Sequence, residues 1–196
     1  MSYYTPYGLY RFDSLLQSSP VSSMEVNVND NSPSSTIPFD IVHIVGGIKT
    51  SIDGTTPVVV FKDNNDSAVG AHYRTSRSQS TGTIGAGSTT VNTEINLTTS
   101  VNVGNYTPTP TGFSNVEMYH FHMTLKYNRN SSAPISRVNG WWQSSFENTS
   151  GSPQMSYGCF LLYEDVNPFT ASFSFSDSAT IMGEINVWGL CGDSVD

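Results

Sequence analysis

Charge is what this 196-residue chain has least of. It carries eight Lys and Arg against sixteen Asp and Glu, and charged residues make up 12% of it, about half the average share for soluble proteins. A chain of net charge −8 repels phosphate, and a nucleic-acid groove needs a basic patch. The nearest approach to a patch is Arg74 and Arg77, with Arg129 and Arg137 further on. Nucleic acid and anionic membrane surfaces are therefore excluded as expected partners. No apolar run approaches the ~18 residues of a membrane-spanning helix. Cysteine is reduced to Cys159 and Cys191, neither beside a basic residue, which argues against an activated thiol. Two free, buried cysteines are expected rather than a disulfide. The opening MSYYTPYGLY lacks a basic region followed by an apolar core and does not read as a signal peptide. A helical stripe is missing too; residues 14–18 offer at most one turn.

What is present is neutral polarity and aromatic weight. Ser and Thr supply about a quarter of the chain and aromatics 12%. Apolar residues alternate with polar ones in short segments bounded by Gly, Pro, Asn, Asp and Ser. Strands are expected near 21–28, 40–50, 57–62, 71–75, 90–103, 116–127, 137–146, 157–164, 171–176 and 183–190, after a short mixed segment at 9–16. Gly46-Gly47 suggests a bulge or bend in the second of these. About ten short antiparallel strands with polar turns predict an all-β fold, a two-sheet β-sandwich of jelly-roll type.

The chain divides into an arm (1–10), one sandwich domain (11–190) and a tail (191–196). The arm is aromatic, with Tyr3, Tyr4, Tyr7 and Tyr10; such side chains gain most from burial, against a neighbouring subunit or the arm's own domain. Residues 76–114 are a Gly/Ser/Thr-rich insertion. The stretch 104–114 holds two prolines and cannot be a central strand. This insertion is expected to project from the sandwich, as a binding lobe or a plain flap.

Candidate sites are few. His120 and His122 lie at i and i+2 on one strand face. Three such pairs around a trimer axis could hold a transition metal, but the expected reading is a polar strand face with two partly exposed histidines; no metal site is assigned. His43 and His72 have no such spacing and read as ordinary side chains. Asp63, Asn64, Asn65, Asp66 and Ser67 offer hard oxygens but lack the spacing of an EF-hand loop, so they read as an Asx-rich turn. Trp141 and Trp142 are adjacent on a strand and must point to opposite faces. One belongs to the core, and the other to a subunit interface, the core edge or a sugar-stacking platform. No G-x-S-x-G elbow, H-E-x-x-H or phosphate loop occurs, and neither an enzyme activity nor a cofactor is expected.

The segments DIVHIVGGIKT, VVVFKDNNDSAVGAHY and ASFSFSDSATIMGEINVWGL, read in order, resemble small β-rich virion proteins of tailed phages, marine ones especially. In that family an apolar strand ends in Phe (Phe61), a polar turn follows (Asn64, Asn65, Asp66) and the chain returns through a Tyr (Tyr73). Its final hairpin corresponds to Phe173, Phe175, Gly183, Ile185, Val187, Trp188, Gly189 and Leu190. Trp188 stands where Tyr is more usual. The resemblance implies a structural role in the virion: a capsid decoration protein, or a tail-fibre, spike or head-fibre adhesin module. It implies a homotrimer assembled in the host cytoplasm, with the major capsid protein or tail proteins as partners and a host-surface glycan as a possible ligand. The tyrosines of the arm and Trp141 or Trp142 would make the contacts.

Overall fold

The computed structural model describes residues 9–29, 40–52, 54–79, 84–86, 90–98, 118–130, 133–147, 153–162 and 168–190. Every regular element there is a strand. In chain order they are β1 (Leu9–Val21), β2 (Met24–Asn27), β3 (Ile41–Thr50), β4 (Pro57–Lys62), β5 (Ala71–Gln79), β6 (Ile84–Ala86) and β7 (Thr90–Asn92). They continue with β8 (Ile95–Asn96), β9 (Tyr119–Asn130), β10 (Ala133–Glu147), β11 (Pro153–Leu162), β12 (Thr170–Phe175) and β13 (Ile181–Leu190). One sheet has the order β1-β13-β3-β9-β10-β11-β5-β6, with β7 also on β5; the other has the order β2-β12-β4-β8. All pairings are antiparallel. The expected sandwich is present, and its topology is that of a jelly roll. In β1-β13-β3-β9 and β2-β12-β4-β8 the chain switches sheet at nearly every step, the paired Greek keys of that architecture. Two insertions, β5–β7 and β10–β11, widen the first sheet beyond β9.

Alternation decides which residues form the core. On β9, Tyr119, Phe121, Met123, Leu125 and Tyr127 face inward and are buried. The core continues through Val42 and Ile44 of β3 and Ile185 and Val187 of β13. The second sheet answers with Met24, Val26, Val59, Phe61, Ala171, Phe173 and Phe175. Aromatic rings join the layers: Phe121 stacks on Phe173 with centroids 4.8 Å apart, and Phe61 lies 5.2 Å from Phe160. Offset and tilted pairs of this kind add about 0.5–1.5 kcal/mol each beyond area burial. Tyr127 also donates its hydroxyl to the Val28 carbonyl at 2.7 Å, and complete burial raises its pKa.

Gly46 and Gly47 do not form a bulge in β3. The register runs unbroken through both toward β13 and β9. Their role is close approach: a Cβ at Gly46 would sit 2.6 Å from the Phe121 ring, and one at Gly47 2.7 Å from Met118 Cε. The described parts of 76–114 do not project either. β6 and β7 pair with β5, and β8 pairs with β4, leaving Ile95 and Leu97 buried. Residues 99–117 and the tail lie outside the described residues. So does most of the arm, whose last two residues, Leu9 and Tyr10, begin β1 and pair with Leu190 and Gly189.

Gly183 on β13 has φ +154°, a region that side-chain-bearing residues rarely occupy. A Cβ there would meet the Gly47 carbonyl oxygen at 2.0 Å, and that oxygen belongs to backbone with little room to yield. Gly183→Ala is therefore expected to destabilise the fold by about 1–3 kcal/mol, read as a lower urea midpoint at unchanged m-value.

Candidate functional site: the outer face of the large sheet

Period-two alternation gives the large sheet an outer face, and the register sets its rows. One row reads Arg11, Trp188, His43, Thr124, Trp141, Cys159, Arg74 across seven strands. The next reads Ser14, Asn186, Val45, His122, Gln143, Tyr157, and a third includes Leu16, Glu184, His120, Ser145 and Met155. Two shallow grooves lie here. One, of about 300 Å³, is lined by Val45, His120, His122, Gln143, Ser145 and Met155 among others. The other, of about 440 Å³, is lined by His72, Arg74, Asn139, Trp141, Cys159 and Leu161 among others.

The two tryptophans part as alternation requires. Trp142 is inside, 1% exposed, packed over Gly158, where a Cβ would meet its ring at 2.3 Å. Its indole N–H donates to the Leu97 carbonyl at 3.1 Å. Trp141 stands on the outer face, 49% exposed. Cys159 is exposed on the same face and free, which corrects the expectation of a buried thiol. Its neighbours from Tyr157 to Leu162 occupy both faces of β11, and Phe160 and Leu162 take the inward places. Cys191, Tyr3, Tyr4 and Tyr7 lie outside the described residues, as does the Tyr10 side chain.

His120 and His122 share the outer face, His120 exposed and His122 half-buried. The contact that spacing could not reveal is His43. Its Nδ1 lies 3.1 Å from His122 Nε2 and 3.1 Å from Thr124 Oγ1, with the two rings tilted at a centroid distance of 5.2 Å. One imidazole donates its N–H and the other accepts. Burial lowers the His43 pKa, and the neighbouring His122 lowers it further. Among the described residues no group of three or more His, Cys, Asp or Glu is arranged to hold a metal ion. The 63–67 turn is closed by Asp63, whose Oδ1 accepts from the amides of Asn65 and Ser67 at 2.8 and 2.9 Å. Those bonds hold the Asp63 pKa below the ordinary carboxylate range.

Among the described side chains, charge is distributed unevenly between this face and the remainder. All four histidines of the sequence, His43, His72, His120 and His122, are on the outer face with Arg11, Arg74 and Lys126. Among the side chains described on it, Glu184 is the sole carboxylate, and Asn186 donates to it at 2.8 Å. No protein-family model, curated protein or solved structure matches the chain.

Neutral His43 is favoured by the fold, so protonation favours the unfolded chain. Its folded-state pKa lies below the unfolded value of about 6.5, so the contribution is full above that value and fades as pH falls through the folded pKa. Thermal midpoints are expected to fall between neutral pH and about pH 5, and His43→Gln is expected to flatten that slope. An unchanged slope in the variant would show that His43 does not carry it.

Proposed function

We propose that the chain is a structural protein of a tailed-phage virion, a capsid decoration protein that associates with itself as a trimer and clamps neighbouring shell subunits. The observation that carries this reading is the widened jelly roll with a broad, partly apolar outer face whose described side chains include one carboxylate, Glu184. Jelly rolls recur in viral capsid proteins and in lectins, an analogy of fold that gains weight only from the face itself. A brick that works by contact needs a rigid two-layer core and a surface whose burial offsets desolvation. Neutral Ser, Thr and Asn keep the remainder soluble with little dependence on salt. No catalytic role or cofactor is assigned. The proposed location is the particle, after assembly in the host cytoplasm, where thiols stay reduced, and the shell would gain stability from the chain by mass action.

A second reading draws on Trp141. An exposed indole beside His72, Arg74 and Asn139 in one groove is a surface on which a sugar ring can stack, as a fibre or spike adhesin would require.

Particles lacking the chain are expected to release DNA at a lower temperature than complete ones, and cryo-electron microscopy is expected to place copies over the whole head. Equal heat stability with copies confined to the tail would replace the clamp with the adhesin. In that event glycan-array binding should disappear in Trp141→Ala, a change at an exposed position that leaves the core intact.

A further inference from the structure

The contact between His43 and His122 joins two strands whose pairing is fixed. β3 and β9 run antiparallel in unbroken register from the Ile41–Lys126 pair to the Ile48–Tyr119 pair. His43 stands opposite Thr124 and His122 opposite Val45, so the two imidazoles meet on a diagonal of the outer face. His43 Nδ1 is 3.1 Å from His122 Nε2 and 3.1 Å from Thr124 Oγ1. Both rings are half-buried and carried by backbone that is already hydrogen-bonded. A ligand that uses the two nitrogens together therefore finds them preorganised.

A separation of 3.1 Å suits a hydrogen bond, and it also suits two donors on one metal ion. Bonds of about 2.1 Å meeting at a right angle put their donor atoms about 3.0 Å apart; at the tetrahedral angle of zinc the donors are about 3.4 Å apart. The spacings around His43 Nδ1 match the right angle, which Cu²⁺ and Ni²⁺ prefer. The donors point the same way: imidazole suits these ions, whereas Mg²⁺ and Ca²⁺ take carboxylate and carbonyl oxygen. A neutral imidazole binds a metal through the nitrogen that bears no hydrogen. The ring that donates in the His43–His122 bond would move that hydrogen to its other nitrogen, exchanging one neutral tautomer for the other with no net release of a proton.

Access is provided by the groove of about 300 Å³, which His122 lines together with Gln143 and Ser145. Among the described residues no third His, Cys, Asp or Glu completes the set. The arrangement is thus an open site, with most positions left to water, and not a closed structural centre.

We propose that His43 Nδ1 and His122 Nε2 chelate one divalent transition-metal ion of the copper and nickel class, with Thr124 Oγ1 beside the first ligand and water in the remaining positions. The proposal is independent of the virion role, and its failure leaves that reading unchanged.

Calorimetric titration of the full chain with Ni²⁺ at neutral pH should show binding in the micromolar range. His43→Gln and His122→Gln should each weaken it by roughly tenfold or more with an unchanged circular dichroism spectrum, while His120→Gln and His72→Gln leave it as it was. Ni²⁺ should raise the thermal midpoint of the unmodified chain and not that of His43→Gln, since an ion held only by the folded state stabilises it by mass action. With the thiols alkylated, stoichiometric Cu²⁺ should give an electron paramagnetic resonance spectrum with coupling to two nitrogens. Binding that survives His43→Gln, or that is lost in His120→Gln, would place the ion on His120 and His122 along β9 and overturn the proposal. If His43→Gln fails to fold, the comparison of His122→Gln with His120→Gln decides. Equal stabilisation by Mg²⁺ would reveal only the attraction of any divalent ion to a chain of net charge −8 and would also overturn it, as would the absence of binding.

Discussion

Trp142 is the side chain on which the arrangement of this molecule turns. Its ring lies over Gly158 of the next strand, close to Phe160, and its N–H reaches the Leu97 carbonyl. Leu97 follows β8, the last strand of the small sheet, and its own amide donates to Pro57 of β4. One indole thus ties the widened part of the large sheet to the end of the small one. Burying so large a ring contributes several kcal/mol, and the N–H partner removes the cost of an unpaired donor. The same junction is held by Phe61 of β4 against Phe160 of β11 and by the Thr75 hydroxyl of β5, which donates to the Asn96 carbonyl of β8.

Widening the sheet has a consequence for its outer side. An eight-strand jelly roll spreads polar residues over both outer faces. Here β10, β11 and β5 add three strands to one side, and these bring Trp141, Met155, Tyr157 and Arg74 beside the His43–His122 pair. Among the described side chains of this surface, Glu184 is the sole carboxylate. Interior and exterior are linked by alternation: Phe160 and Trp142 face the core because Cys159 and Trp141 do not.

Much of this was legible in the residue order. Alternation marked many of the strands that bear the core, including the long run YHFHMTLKY at β9, and a continuous apolar run marked PVVVFK at β4. It also placed His120 with His122 and separated Trp141 from Trp142. The short strands β6, β7 and β8 were harder to read, because pairing with β5 and β4 fixes them and their own sequence carries few apolar residues. Gly46-Gly47 read as a bend, since sequence does not reveal the ring of Phe121 pressing on the backbone. Cys159 read as buried because an apolar run on a strand fills two faces, and parity against the neighbouring strand decides which residues each face receives.

The order of residues by itself determined an all-β chain, the face each side chain takes relative to its neighbours, and a composition poor in cations. Those properties depend on the period of the strand and on local charge, and both can be counted along the chain. Tertiary structure decided which strands lie side by side. His43 and His122 are 79 positions apart and meet because β3 pairs with β9. The four histidines share one surface for the same reason: hydrogen-bond register between distant segments is a property of the folded sheet, and nothing local encodes it.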